Sequence, residues 1–574
     1  MRTRRQAEGV GACVPVCESA YYLLLVISDL VIDPWFTPRR QSVSIYPARA
    51  AARAALERSV GRPISMSDIE HTAVVIIGGG AAGVAAAAVL SEAQTPFVLL
   101  EAAPVLGGRM RETQFQGRTV ETGAAWIHGT STTSGFVNPL WGMANAARLR
   151  GNFTSYANAR HLWRNGSAVP KSMVSKWQSL AEHAFASCEE RAFHIAWDDE
   201  ETLRRCFERD GYRLKGLATD EGAFAATLEW LKADFETLLR PDHIPIVHTL
   251  PLNYQRERGR YDKHDWHVVD PRGFATTIRQ VAQTFQPASA VRLRQTVVRV
   301  QRSSKGVIVT TAEGLRIGAS YAICTLPLGV LKRHTEDAFF EPPMPEDKVQ
   351  AVGAMHHGHY AKVFLAFDIN FWDARGSGAV PREVMTVSGG EIEGSHSYLT
   401  WALNLDHPKY MPGSRMLAFH MTGRLAEQVE TQPARVTEDE VMRELRRLFP
   451  QAMRPSAMLV SNWSRDPRFS GSYSAWPLHV STGVRQALTR REGRLLFAGE
   501  HCAENYGYVH GALDSGASTA RQILHELRPD ADSAILSARL GLCTLAALVA
   551  CVVVLRSRGV CEPPTFGMRP TVLI

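Results

Sequence analysis

Between residues 73 and 90 the chain reads AVVIIGGGAAGVAAAAVL, and this stretch restricts its fold more than any other. The run from Val74 to Ile77 is β-branched and unbroken by polar groups, which is how a strand buried on both faces of a parallel sheet reads. Gly78, Gly80 and Gly83 then match G-x-G-x-x-G, the spacing that permits a tight turn, close approach of a pyrophosphate and close helix-to-strand packing. A helix is predicted from Gly83 to about Glu92, its N-terminus facing phosphate. PFVLLEA supplies a second strand ending in Glu101, about 20 residues past the glycines, where a carboxylate can accept ribose hydroxyls. Strand, turn, helix, strand and acid fall in the order of a βαβ unit that cradles ADP, in NAD or in FAD.

The rest of the chain bounds what surrounds that unit. With 574 residues it can bury a large core. A formal charge of +7 is modest for this length, and no basic stripe with interleaved aromatics occurs, which argues against a nucleic-acid partner. The nine cysteines include no C-x-x-C pair and are odd in number, so reduced thiols are expected rather than a metal site or a disulfide framework. Residues 37–62 hold six arginines against the single acid Glu57 among many alanines, the composition of an organelle transit peptide. A start at Met66 explains the same segment equally well, and both readings stay open. Residues 540–555 are apolar throughout and flanked by Arg539, Arg556 and Arg558. At about 1.5 Å per residue they reach roughly 24 Å, short of a ~30 Å hydrocarbon core but extendable by snorkelling arginines, so a tail anchor is expected.

Downstream of Glu101 come APVLGGRMRE, VETGAAWIHG, TVVRV before YAICTLPLGVLK, HYAKVFLAFDINFW, WSRDPRFSGSYSAWP and RLLFAGEHCAENYGYVHGALDSGASTA. Together, and in this order, they resemble the flavin-containing amine oxidases, the family of monoamine and polyamine oxidases, over roughly residues 71–527. The glycine-rich C-terminal element returns to the first cradle, which a nicotinamide enzyme has no need of, and this favours non-covalent FAD held along its length. The resemblance implies an α/β fold: a Rossmann-like FAD-binding domain from 71–145, 270–341 and 458–527, interleaved with an α+β substrate domain from 146–269 and 342–457. Residues 1–70 and 528–574 are extensions. The segment 341–448 has no room for the long helical insertion of chromatin demethylases.

Each implied site residue also has a physical reading. Gly107 and Gly108 let the backbone pass close to the cofactor, and Arg109 offers a planar fork to the pyrophosphate or flavin oxygens. Gly123, Ala124 and Trp126 fit a loop of small residues under the isoalloxazine with an indole beside it. By resemblance Val297 reads the adenine edge through its backbone, and Glu500 stands against the ribitol and pyrophosphate. Val509 begins a helix whose N-terminus favours phosphate or the flavin O2 dipole. Lys362 alternates with apolar strand residues, and the resemblance makes it the lysine that holds a water against flavin N5. Tyr473 and Tyr508 correspond to the family's aromatic cage. Ser472 stands where some relatives attach flavin through a cysteine, and a serine cannot form that thioether.

The implied reaction takes a hydride equivalent from the carbon beside an amine nitrogen, with O2 as the final acceptor. His128 corresponds to a substrate-contacting position, and Glu236 to an acid near the tunnel mouth that would bind a distal ammonium. A polyamine oxidase of the plant or fungal type is expected. A monoamine or amino-acid oxidase on the same fold, or a non-catalytic dinucleotide-fold escort, are the alternatives. The two extensions are compatible with an organelle-targeted, membrane-anchored protein and otherwise with the cytoplasm, and the sequence leaves the compartment open.

Overall fold

A computed structural model describes residues 69–528 apart from 157–158, 197–198, 250–253, 256–258, 263, 336, 374–381 and 389–398. The arginine-rich segment 37–62 and the apolar run 540–555 lie outside the described residues. Among the described residues no helix is long and apolar enough to cross a membrane.

The predicted βαβ unit forms as β1 (Glu70–Ile77), α1 (Ala81–Glu92) and β2 (Phe97–Glu101). β1 pairs in parallel with β2 on one side and with Arg316–Cys324 on the other. It is the third strand of an eight-stranded sheet ordered Val291–Leu293, β2, β1, Arg316–Cys324, Val307–Thr311, Val297–Arg302 and Phe340–Glu341. Leu495–Phe497 joins it in parallel beside Arg316–Cys324. Val74 and Ile76 enter one hydrophobic cluster and Val75 and Ile77 another, so both faces of the strand are covered. α1 is buried without break from 82 to 90, because it lies between this sheet and the C-terminal helix α2 (Val509–Leu527). The helices approach closely at Gly516, where an added Cβ would stand 2.0 Å from the Ala82 carbonyl oxygen.

A three-stranded sheet joins β3 (Trp126–His128) and Gly151–Phe153 to the central β4 (Asp265–Val268). A six-stranded sheet contains β5 (Tyr360–Ala366), flanked by Ala457–Val460 and Met416–Thr422, and ends at Arg160–Trp163. Its two faces are also both buried, Val363 and Leu365 on one side and Phe364 and Ala366 on the other.

One expectation fails here. Cys188 and Cys206 are joined by a disulfide that ties helix Lys171–Ala192 to helix Leu203–Arg209. The partners are 18 residues apart, and helix packing brings their Cα atoms to 5.9 Å, so no short sequence spacing announces the bond. Cys324 and Cys502 are free thiols, as expected.

Candidate active site

The glycine turn is built as its spacing requires. Gly78 has φ +107°, and a Cβ on Gly83 would come within 1.9 Å of the Gly78 carbonyl oxygen. Gly80 differs: a Cβ there would meet no protein atom nearer than Gly108 Cα, at 3.9 Å. That glycine therefore keeps open a space that no described residue fills, which fits a pyrophosphate against the N-terminus of α1, where no side chain caps the helix among the described residues. Gly108 faces Gly80 across this space, and the Gly107 amide donates to the Gly79 carbonyl at 3.0 Å. Glu101 fixes the turn: its two oxygens accept from the amides of Gly79 and Ala103, each at 2.7 Å. Each oxygen keeps a second lone pair, so ribose binding stays compatible with this structural use. Val297 begins its strand at a register shift in the ladder with Thr311.

The C-terminal element returns to the same place. Arg109 Nη1 donates to Glu500 at 2.7 Å and to the Ser472 carbonyl at 2.9 Å. Glu500 also accepts from Ser474 Oγ at 2.5 Å and from the Gly507 amide at 2.9 Å. Burial alone would raise its pKa, but Arg109, His501 and the Ser474 bond outweigh that and hold it at about 2. α2 starts at Val509 with no side-chain cap, leaving its first amides free for an electronegative group.

Between the sheets lies a buried lysine. Lys362 Nζ donates to the carbonyls of Glu121 and Gly123, at 2.9 and 2.5 Å. Its ammonium also sits 5.4 Å from the Trp126 ring centroid. An ammonium has three donors, so one stays available. Burial lowers the pKa of Lys362 and raises that of Glu121, whose Oε1 accepts from the Phe274 amide at 2.7 Å. Glu121 Oε2 is buried without a hydrogen-bond partner among the described residues. Gly123 and Ala124 are held to this loop by the carbonyls of Arg111 and Arg109. A Cβ on Gly123 would strike the Arg109 carbonyl at 1.9 Å. Lys362 is thus buried and faces the loop that includes Trp126.

Around Trp126 stands an aromatic wall. Its ring meets His267 at 4.5 Å, His420 at 5.6 Å and Trp401 at 6.1 Å. Tyr360 shares a 2.8 Å hydrogen bond with His420 and lies 6.1 Å from Tyr473. Burial first, then Lys362, pushes His267 down to about 3, and His420 is also held well below its ordinary value. These imidazoles are therefore neutral. Tyr473 rests on Gly507, next to Tyr508, and Tyr508 stacks on His510 at 5.1 Å. Ser472 Oγ is tied at both ends to Tyr360, accepting from its amide at 2.8 Å and donating to its carbonyl at 3.0 Å.

His128 and Glu236 lie close enough for their charges to interact. Glu236 lies in a short helix, Asp234–Thr237, whose main chain accepts from the Tyr473 hydroxyl at 3.4–3.5 Å. His128 meets Tyr508 edge-on at 5.2 Å, and its charge and that of Glu236 favour each other. Sequence reasoning missed Glu121, Asp265, His267, Tyr360 and His420. The alternation in WIH and DWH marks two half-buried strands, but only their pairing register shows which residues face each other.

A family model described as flavin containing amine oxidoreductase matches residues 81–524. Polyamine oxidase 7 of Oryza sativa subsp. japonica is 29% identical, covering 77% of this chain and 93% of its own. Polyamine oxidase 1 of Zea mays is 28% identical over 83% of this chain and 95% of its own. A putrescine oxidase solved with putrescine bound shares the fold at a TM-score of 0.61 and 17% identity, covering 79% of this chain and 99% of that one.

Proposed function

Because the chain belongs to the flavin containing amine oxidoreductase family, we propose that it is an FAD-dependent polyamine oxidase acting on spermine, spermidine or their acetylated forms. The observation that carries the substrate class is the meeting of His128, Glu236 and Asp265 beside the aromatic wall. A polyamine needs carboxylates for its distal ammonium groups and a neutral, apolar place for the reacting nitrogen. Glu236 answers the first need; Tyr360, Tyr473, Tyr508 and Trp126 answer the second. The names of the relatives, polyamine oxidase 7 of Oryza sativa subsp. japonica and polyamine oxidase 1 of Zea mays, agree with this reading.

The cofactor would be held by the Gly78–Gly83 turn and Glu101 at the ADP end, by Arg109, Glu500 and the α2 N-terminus further along, and by Gly123, Ala124 and Trp126 at the ring. When bound, the flavin supplies the two-electron acceptor for the C–H beside the amine nitrogen and passes the electrons to O2, giving H2O2. The chain's own residues orient and dry the site. Trp126, Tyr473 and Tyr508 keep the amine neutral by excluding the water that would stabilise its charged form. The remaining N–H of Lys362 can hold a water, the molecule needed to hydrolyse the imine to an aldehyde and an amine. Ser472, tied to Tyr360, supports non-covalent attachment, and acid should release the flavin intact.

The strand assignments support an interleaved division into an FAD domain (71–145, 270–341, 458–527) and a substrate domain (146–269, 342–457). We also propose a membrane anchor at 540–555, tested by whether alkaline carbonate strips the full-length protein from membranes. The substrate reading is tested by anaerobic bleaching with spermine, spermidine, acetylspermine, benzylamine and an L-amino acid. Polyamines should bleach fastest. Faster bleaching by benzylamine would move the chain to the monoamine branch.

A further inference from the structure

β3 and β4 pair so that His128 stands opposite Asp265, Ile127 opposite Trp266, and Trp126 opposite His267. Ile127 and Trp266 point into the core. His128, Asp265, Trp126 and His267 share the other face. There His128 Nδ1 lies 3.0 Å from Asp265 Oδ1. The pair is deep in the protein, yet 33% of the His128 side chain and 24% of that of Asp265 are accessible, and Tyr156 beside them is 44% accessible. Groups that are deeply surrounded but accessible line an internal space. The carboxylate of Asp265 adds to burial in holding the Tyr156 phenol protonated.

We propose that Asp265 is a positioning residue for amine capture: it accepts the His128 Nδ1–H, turns Nε2 towards the substrate space, and makes the local charge there depend on the His128 proton. This rests on the amine-oxidase reading of that space. With Nδ1 as donor, the second ring nitrogen is a donor in imidazolium and an acceptor in neutral imidazole. The imidazolium and the Asp265 carboxylate together carry no net charge. Loss of the Nε2 proton to solvent leaves a net negative pair and an acceptor, both of which favour an incoming ammonium. Amine capture therefore improves as pH rises through the His128 pKa.

Four titratable groups face this pair from the elements packed against it: Glu236 from the short helix, Tyr156 from the segment after Gly151–Phe153, and Tyr508 and His510 from the start of α2. Tyr156 and Tyr508 are held protonated by burial, and His510 is pushed down to about 3 by burial and by His128, so these three stay neutral near pH 7. Burial disfavours the His128 charge, but the charge and hydrogen bond of Asp265, with help from Glu236, outweigh it and raise the pKa. Replacing Asp265 by Asn keeps an acceptor for Nδ1–H and removes only the charge.

The experiment follows flavin reduction in the holoenzyme from about pH 6 to about pH 9, using whichever amine of the panel above bleaches fastest. The amine's own ionisation is the same for every variant and cancels in the comparison. Asp265→Asn should move the acidic limb of kcat/KM down by about one pH unit, with the limiting reduction rate within about threefold of wild type. His128→Gln should abolish that limb while the flavin spectrum stays unchanged. Asp265→Asn with a limb at the wild-type pH, or a limb that survives His128→Gln, overturns the proposal. Should Asp265→Asn fail to fold, the His128→Gln profile still decides. If a monoamine is the fastest reductant, the polyamine reading falls, and the same limb comparison with that amine still judges Asp265.

Discussion

At the scale of single residues, Lys362 and Glu500 are buried charges handled in opposite ways. Lys362 has no carboxylate within ion-pairing distance among the described contacts; burial lowers its pKa, while the two carbonyls that anchor it favour its ammonium. Lys362→Met should retain flavin and fold, and should slow turnover by about 10- to 100-fold, checked by separating flavin reduction from reoxidation in stopped flow. Equal rates in both half-reactions would reduce the lysine to a structural strut. Glu500 instead is paired with Arg109 and is ionised down to about pH 2. Its folded pKa lies below the unfolded carboxyl value of roughly 4.3, so the stabilisation is fully present above that value and fades as pH falls towards about 2. Glu500→Gln leaves Arg109 without its counter-charge and should cost about 3 kcal/mol at neutral pH. Its melting temperature should also fall less than that of wild type between about pH 5 and about pH 3, which thermal scans at several pH values will show.

Elements differ in how openly the sequence declares them. β1, the glycine turn and α1 were legible because apolar run, glycine spacing and small-residue helix are all local, and the helix begins at Ala81, close to where it is predicted. Lys362 was legible as a strand residue, but its partners were not, since Glu121 and Gly123 lie about 240 positions away, at separations of 241 and 239. The same holds for Asp265, set opposite His128 across 137 residues by strand register alone. Two glycines of one turn allow a sharp test of this local logic. Gly80→Ala adds a methyl whose nearest described neighbour is Gly108 Cα at 3.9 Å, so the apoprotein should melt within about 1 °C of wild type while flavin affinity falls at least about tenfold, read by fluorescence titration. Gly83→Ala drives a methyl into the Gly78 carbonyl and should destabilise the apoprotein itself by about 1–3 kcal/mol, read by the same melts.

On the scale of the whole molecule, distant segments are fastened to one another. The Cys188–Cys206 disulfide clamps two helices of the region between the sheets. Peptide mapping without reductant should recover the linked pair, and Cys188→Ser should lower stability by about 2–4 kcal/mol, measured by denaturant titration. The longest fastening is the contact of α2 on α1, where Gly516 lets a helix near the end of the described chain lie against the first. A ribosome delivers α1 more than four hundred residues before α2, so the emerging chain holds a bare, alanine-rich helix and a half-made cradle for most of its synthesis. Completion of the flavin cradle consequently waits for the synthesis of α2, and a chain ending before Val509 should be colourless when purified.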